Sequence, residues 1–360
     1  MEESLNQIQR TVQQAALMAR GQSVTKRRKR DPSKPSAKWI APARVGREKG
    51  TSLAIVLSTI GCAHARSDSG GCTMCSYLLD GTQSMPTSDQ LVDQFNHAMS
   101  DLEGKNGPLS VKIYTSGSFL DNEEIPEDAR SEILRIISDD NRIREVVLES
   151  RPEYVQDSIL SEVRHILGDR RIEIGMGLES ADDTIRSVCI NKSFDLQTFK
   201  KSLDIAKAHN IGMRAYVLLK PPLLSERDSM LDAISTIRHS QKMGVTTVSL
   251  NPVNVQNDTL VEKLWNRGKY RPPWLWSVQA VLLEASNITD GWMRVVCDPV
   301  AGGRRRGAHN CGKCDNEFVQ AIRDFSLNQD SSVLETLSCD CRKQWEYVLK
   351  HEDVSQLVHR

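Results

Sequence analysis

The sequence predicts an α/β fold in which a parallel sheet curls into a partial (β/α)6 barrel, followed by a small cysteine-rich module. Three observations lead to this prediction. Six short apolar segments alternate with helical segments between residues 52 and 250. Strands linked in this way pair in parallel through right-handed crossovers. Four of the nine cysteines lie close together after this alternation, between residues 311 and 341.

The apolar segments define the order of the elements. Strands are predicted at 52–59, 109–114, 145–149, 171–176, 212–219 and 246–250. Helices follow them, the first with Leu91, Phe95, Met99 and Leu102 on one face. We therefore expect an N-terminal helix and basic linker at 1–50, the barrel at 51–255, and a C-terminal extension at 256–360. Functional residues of such barrels lie at the carboxyl ends of the strands.

Composition excludes several classes of protein. Hydrophobic residues make up 39% of the 360 residues, mean hydropathy is -0.42, and no apolar run approaches the roughly 18 residues of a membrane span. The sequence starts without a basic region followed by an apolar core, so we expect a cytoplasmic protein with no membrane partner. Nine cysteines in that compartment favour metal or redox chemistry over a disulfide framework.

The formal net charge of zero conceals a basic segment near the N-terminus. Residues 20–50 hold eleven Lys and Arg but only two acidic residues, with five consecutive basic residues at 26–30. Such a segment suits phosphate groups, and it is equally typical of a solvated tail.

The first cysteine group follows the first predicted strand. Cys62, Cys72 and Cys75 form C-x9-C-x2-C. Three thiolates can hold three irons of a 4Fe-4S cluster and leave the fourth iron open to a ligand. The alternative is a zinc site of three cysteines completed by His64. Position and spacing favour the cluster.

Three further motifs follow the next strands in order: YTSGSF at 114–119, LESRPEY at 148–154 and GMGLES at 175–180. Together with the cysteines, they resemble the radical S-adenosylmethionine (SAM) superfamily, particularly its Elongator catalytic subunit branch. The resemblance covers about residues 50–255. It implies that the open iron chelates SAM, whose reductive cleavage yields methionine and a 5'-deoxyadenosyl radical.

The resemblance also implies which residues surround SAM. The predicted cofactor contacts are Thr115, Ser116, Gly117, Ser118, Glu149, Arg151, Glu179 and Ser180. The first four would receive the SAM amino group, with Gly117 permitting close approach, while Glu149 and Arg151 would contact the ribose and the carboxylate. The alternatives are an ordinary strand-to-helix turn and salt bridges at the barrel rim.

The second cysteine group consists of Cys311, Cys314, Cys339 and Cys341. Two short-spaced pairs suit a structural zinc site with four thiolates, and a second iron-sulfur cluster is the alternative. Cys297 or His309 would be the substitute ligand if one of the four does not participate.

A basic loop precedes this group. Arg304, Arg305 and Arg306 are flanked by glycines and suit the backbone of RNA, although a solvated loop is the simpler explanation. Trp265, Trp274 and Trp276 are candidates for stacking on bases or, more simply, core residues.

The C-terminal segments RRRGAHNCGKCD and AIRDFSLNQD are similar to the archaeal archaeosine-biosynthesis radical SAM family called RaSEA. That resemblance implies a lyase acting on tRNA. Its partner, a transglycosylase-related archaeosine synthase, attaches lysine to the nitrile of 7-cyano-7-deazaguanine in the D-loop. The lyase then cleaves the C-N bond and leaves archaeosine. An electron donor, which the sequence does not identify, is also required.

Two other functions are compatible with these motifs. One is a radical SAM enzyme that acts on another tRNA, a small molecule or a protein. The other is a zinc-containing RNA-binding protein without catalysis. Iron content separates the second from the enzymes.

Overall fold

The computed structural model describes residues 2–21, 30–289 and 291–353. They form an eight-stranded sheet with the strands in sequence order. The strands are β1 (Ala37–Val45), β2 (Glu48–Val56), β3 (Leu109–Tyr114), β4 (Ile143–Glu149), β5 (Arg171–Glu179), β6 (Gly212–Leu219), β7 (Thr247–Pro252) and β8 (Arg294–Val296). β1 is antiparallel to β2, and all later neighbours are parallel. The predicted α/β class is confirmed, but the sheet has a further strand at each edge beyond the six predicted.

Both additional strands have weak sequence signals. β1 lies within the expected basic linker, and Lys38, Pro42 and Arg44 on one of its faces are residue types that are depleted in strands or typical of charged surfaces. Edge strands tolerate proline and charge because one side of the strand is not paired. A two-residue turn joins β1 to β2, and Gly46 adopts φ +60° there. β8 has only three residues, too few to show a period.

Helices connect the strands and cover the outside of the sheet. They are α1 (Glu2–Arg20), α2 (Ala63–Arg66), α3 (Ser88–Met99), α4 (Glu127–Asp139), α5 (Asp157–Leu167), α6 (Leu196–Ala208), α7 (Glu226–Met243), α8 (Leu260–Asn266), α9 (Leu275–Thr289), α10 (Asp315–Asn328), α11 (Ser332–Glu335) and α12 (Arg342–His351). None of the helices in the described ranges is both long and apolar enough to cross a membrane.

The two faces of the sheet differ in chemistry. Residues such as Leu53, Val111 and Ile174 lie on the outward face, are fully buried, and pack with the helices in the main core. Register places the alternate residues on the inward face, where Lys112, Val147 and Glu173 are successive partners across β3, β4 and β5. The core therefore lies outside the sheet, and the concave inside is largely polar.

The curled sheet is closed at one end. The Arg294 guanidinium at the start of β8 donates to the Arg44 carbonyl near the end of β1 at 2.9 Å. Arg44 in turn donates to the Asn328 carbonyl of α10 at 3.2 Å. Because β1 is antiparallel, these contacts lie opposite the rim formed by the carboxyl ends of β2 to β8. The half-barrel is thus joined at its base, which leaves the rim to carry the candidate site.

Candidate active site and cysteine-ligated metal centre

The predicted cluster ligands lie at the rim, in the loop that follows β2. The Cys62 amide donates to the Ser116 carbonyl at 3.2 Å, which ties this loop to the YTSGSF segment after β3. The Cys75 amide donates to the Cys72 carbonyl at 3.3 Å and closes a tight turn. The charge of Cys72 contributes to raising the pKa of both other thiols, so the three thiols share one electrostatic neighbourhood.

The three thiols differ in acidity. Burial alone would raise the pKa of Cys72, but Lys192, His64 and Arg151 outweigh it and lower that pKa to about 7. Burial, reinforced by Cys72, raises the pKa of Cys75 to about 12, and burial also raises the pKa of Cys62. Cys72 is therefore the thiolate most available at neutral pH, and metal binding would deprotonate the other two.

His64 orders the cysteine loop through hydrogen bonds. Its Nε2 lies 2.7 Å from the Asn191 carbonyl oxygen and its Nδ1 lies 2.9 Å from the Ser69 hydroxyl. Both ring nitrogens are therefore engaged. This arrangement disfavours the alternative in which His64 completes a zinc site.

Arg20, at the end of α1, contacts the cysteine loop, and the sequence did not predict this contact. Its guanidinium is 4% exposed and donates to the carbonyls of Gly70, Cys72 at 3.2 Å and Cys75 at 3.0 Å. Gly70 and Gly71 make this contact possible: both adopt positive φ, and a Cβ at Gly71 would lie 2.8 Å from the guanidinium. In the sequence, the glycine pair before Cys72 is the feature that could have indicated that another side chain approaches this loop closely.

The YTSGSF segment forms a compact cradle beside Cys62. The Thr115 hydroxyl accepts from the Gly117 amide at 3.0 Å. The Ser116 hydroxyl is buried and has no hydrogen-bond partner among the described residues. A Cβ at Gly117 would lie 2.7 Å from the Cys62 Cα. An unpaired polar atom in a glycine-lined cradle next to the cysteines fits a bound polar ligand such as the amino group of SAM.

Glu124 supports this cradle and was also not predicted. Its carboxylate accepts from the Thr59 hydroxyl at 2.5 Å and from the Ser118 amide at 2.6 Å. Burial raises the pKa of Glu124 to about 7 despite these bonds. The Ser118 hydroxyl accepts from the Arg151 amide at 3.0 Å, so the loops after β3 and β4 are held together.

Charged residues line the rim at and after the ends of β4 and β5. Arg151 donates to Glu153 and to the Ser193 hydroxyl, both at 2.6 Å. Lys192 pairs with Glu179 at 2.8 Å. Burial raises the pKa of Glu149 to about 8, opposed by Lys192. The predicted Glu149, Arg151 and Glu179 thus share one electrostatic neighbourhood with Cys72.

Ser180 is less directly placed. Its hydroxyl donates to the Asp232 carboxylate of α7 at 2.7 Å and accepts from the Asp182 amide at 3.0 Å. Its role as a cofactor contact stays a prediction.

The C-terminal cysteines form a second cluster of thiols. The sulfur of Cys311 lies 3.9 Å from that of Cys314 and 3.8 Å from that of Cys339, and the Cys314 and Cys341 sulfurs are 3.8 Å apart. All four sulfurs lie within 4.8 Å of one another. Four ligands at the Zn-S distance would be about 3.8 Å apart at the corners of a tetrahedron. The arrangement is therefore suited to a single four-coordinate metal ion.

Neighbouring donors support these thiols. The Trp276 indole N-H donates to the Cys341 sulfur at 3.3 Å, and the Asn310 amide donates to the Cys314 sulfur at 3.5 Å. Cys297 is fully buried, with its amide bonded to Ser326, and the His309 ring lies 2.8 Å from the Gly307 carbonyl oxygen. The structure thus brings together the four predicted ligands rather than either substitute.

The basic loop divides into exposed and anchored arginines. Arg304 and Arg305 are exposed. Arg306 pairs with Glu262 at 2.8 Å, donates to the Val255 carbonyl at 3.0 Å and lies over the Trp265 ring. The more N-terminal basic run falls largely at 26–29, outside the described residues, while Arg30 pairs with Asp80 at 3.3 Å.

The tryptophans are mainly structural. Trp274 and Trp276 are 6% and 1% exposed, so both are core residues. Trp276 packs edge-on against Phe318, with ring centroids 4.6 Å apart.

Comparison with solved structures finds partial similarity. The chain aligns with an archaeal Elp3 from Methanocaldococcus infernus at a TM-score of 0.48 and 16% identity, over 71% of this chain and 58% of that protein. It aligns with methylornithine synthase at a TM-score of 0.47 and 12% identity, over 67% of this chain and 63% of the other. No family model matches the sequence.

Sequence relatives match over nearly the full length. The archaeosine synthase subunit beta of Methanosarcina acetivorans is 38% identical over 321 residues, which cover 89% of this chain and 91% of that protein. The archaeosine synthase subunit beta of Thermococcus kodakarensis is 38% identical over 314 residues, 87% of this chain and 96% of that protein. These matches confirm the resemblance to archaeosine-biosynthesis proteins. The chain belongs to the archaeosine synthase subunit beta family.

Proposed function

We propose that the protein is the radical SAM lyase subunit of an archaeosine synthase. It cleaves the C-N bond of a lysine adduct of 7-deazaguanine in the tRNA D-loop and leaves archaeosine. The observation that carries the proposal is the 38% identity to an archaeosine synthase beta subunit across 89% of the chain. The partners are tRNA, the transglycosylase-related archaeosine synthase subunit and an electron donor.

Cys62, Cys72 and Cys75 would hold a 4Fe-4S cluster. The cradle of Thr115, Ser116, Gly117 and Ser118 would bind the amino group of SAM. The unpaired Ser116 hydroxyl, and the close packing of Gly117 against Cys62 that holds the segment beside the cysteines, support this assignment. When bound, the cluster and SAM supply a 5'-deoxyadenosyl radical.

The residues around the cradle prepare the site for these charged ligands. Arg151 and Lys192 place positive charge beside Cys72, which favours its thiolate and offsets the negative charge of a thiolate-bound cluster. Glu149 and Glu179 supply carboxylates at the ends of β4 and β5, suited to hydroxyl groups or an ammonium. Glu124 holds the Ser118 amide in place, so the cradle keeps its shape without a ligand.

The C-terminal thiols would bind zinc. Three of their sulfur-sulfur distances are 3.8 to 3.9 Å and all four sulfurs lie within 4.8 Å of one another, which suits one tetrahedral ion, whereas a 4Fe-4S cluster distributes its thiolates over four separate irons. Such a site would join the loop before α10 to the start of α12. The exposed Arg304 and Arg305 come shortly before Cys311 in the sequence and would contact tRNA phosphates.

The proposal is tested by replacing one cluster ligand. Anaerobically reconstituted protein with SAM and dithionite should convert tRNA bearing the lysine adduct into archaeosine-tRNA, detected by nucleoside mass spectrometry. Cys72→Ala should reduce conversion by at least about 1000-fold, because the cluster loses one of its three ligands. Cys189→Ala is the control, since Cys189 is also buried and lies near the loop but is not a predicted ligand. Conversion by Cys72→Ala at the wild-type rate would refute the assignment.

A further inference from the structure

Lys112 is a charged residue on the concave face of the half-barrel for which the fold supplies no partner. It pairs in register with Ala54 on one side and Val147 on the other, so its side chain points inward. Its ammonium makes no hydrogen bond or ion pair within the described ranges. Burial, followed by the charge of Arg214, lowers the pKa of Lys112 to about 8. Lys112 is half-buried, so its unpartnered ammonium is open to a ligand inside the half-barrel.

The two nearby carboxylates already have cationic partners. Glu173 accepts two hydrogen bonds from Arg214, at 2.9 and 3.0 Å, and pairs with Arg171 at 3.0 Å. Glu145 accepts from the Ser110 hydroxyl at 3.0 Å, and its other oxygen lies 3.6 Å from Arg171 without a hydrogen-bond partner among the described residues.

Arg294 adds a further positive charge to the same neighbourhood. Four cations, Lys112, Arg171, Arg214 and Arg294, thus surround two carboxylates. The excess of positive charge inside the half-barrel favours an anionic group.

Trp39 lies two strands away on the same face. It pairs with Ala54, the residue that also pairs with Lys112. Its ring is 47% exposed and lies parallel to the Tyr114 ring, at an interplanar angle of 6° and a centroid distance of 6.1 Å. β1 is an edge strand, so the Trp39 indole lies at the open edge of the sheet. One face of its ring is available to a planar ligand.

We propose that Trp39 and Lys112 bind the substrate within the half-barrel, with the indole stacked on the modified nucleobase and the ammonium paired with the carboxylate of the attached amino acid. This inference rests on the proposed function. Neighbouring strands are about 4.8 Å apart, so the two backbones are about 10 Å apart. An extended lysyl chain spans a comparable distance from the base to its carboxylate. Bases that enter an enzyme pocket are commonly held between aromatic surfaces.

The test compares the affinities of two tRNAs, one bearing the lysine adduct and one bearing the unmodified nitrile base. Lys112→Met should weaken binding of the adduct at least about tenfold, equivalent to about 1.4 kcal/mol, and leave nitrile-tRNA binding unchanged. Trp39→Ala should weaken both by a similar factor. Matched controls are the exposed Lys200→Met and the exposed Trp292→Ala, which should bind like wild type.

Thermal unfolding separates ligand binding from a structural role. Lys112→Met should unfold at the wild-type temperature or above it, because the ammonium makes no hydrogen bond or ion pair with the described residues that the variant would lose. A lower unfolding temperature, or an unchanged preference for the adduct in Lys112→Met, would overturn the assignment. If wild-type protein itself neither prefers nor converts the adduct, the proposed function fails as well. If wild type does both and the variants match it, only this binding site is refuted.

Discussion

The roles of some individual residues could be predicted from the sequence, and the roles of others could not. The cysteines and the glycine of YTSGSF were predictable, because thiol spacing and a missing side chain carry their chemistry in the sequence itself. Arg20 and Lys192 were not predictable, since their importance comes from segments that are distant in sequence. Arg20 reaches carbonyls 50 to 55 residues away.

Arg20→Met should loosen the cysteine loop. Three carbonyls, one buried and two part-buried, would lose a charged donor, at a cost of about 2 kcal/mol. Amides of residues 70–75 should then exchange with deuterium about 30-fold faster in the metal-free protein. Arg10→Met is the control, because Arg10 is exposed on the same helix. Equal exchange in wild type and Arg20→Met would show that α1 does not hold the loop.

At the scale of elements, periodicity predicted the inner strands well. β3 and β6 coincide with the predicted 109–114 and 212–219, because their alternating polar and apolar residues correspond to the two faces of the sheet. The edge strands β1 and β8 escaped prediction. β1 carries charged residues and a proline, and β8 has only three residues, so neither segment looks like a strand from its sequence alone.

The four C-terminal cysteines make an element-scale prediction. Cys341→Ala should release the metal and detach the start of α12, whose Trp345 packs on Trp276 with ring centroids 6.2 Å apart. We expect the unfolding temperature to fall by at least about 5 °C, with loss of about one zinc per chain. Cys297→Ala removes an equally buried thiol outside the cluster. If both variants retain zinc, the assigned ligand set is wrong.

At the scale of the whole molecule, the half-barrel separates its functions by position. The base is joined through Arg44 and Arg294, the rim carries the cysteine loop, and the concave interior presents polar groups. The C-terminal thiol site lies on the chain after β8. The order of motifs along the sequence was sufficient to predict the rim, because carboxyl ends of parallel strands share one edge. Which side chains face the interior could be assigned only from the pairing register of the strands in the structure.

The exposed arginines predict how the whole molecule binds tRNA. The double variant Arg304→Ala, Arg305→Ala should reduce the slope of log affinity against log salt by up to about 2. Arg306→Ala should leave the slope nearly unchanged, since Arg306 is already paired with Glu262. Filter binding at several salt concentrations measures both. An equal reduction by Arg306→Ala would place that arginine on the RNA instead.

The most direct test of the central claim is an anaerobic turnover of wild-type protein with SAM, dithionite and tRNA bearing the lysine adduct. Metal content and both products are measured in the same sample. We expect four irons and one zinc per chain, and formation of archaeosine together with cleavage of SAM. Zinc without iron after reconstitution, or SAM cleavage that leaves the adduct intact, would contradict it.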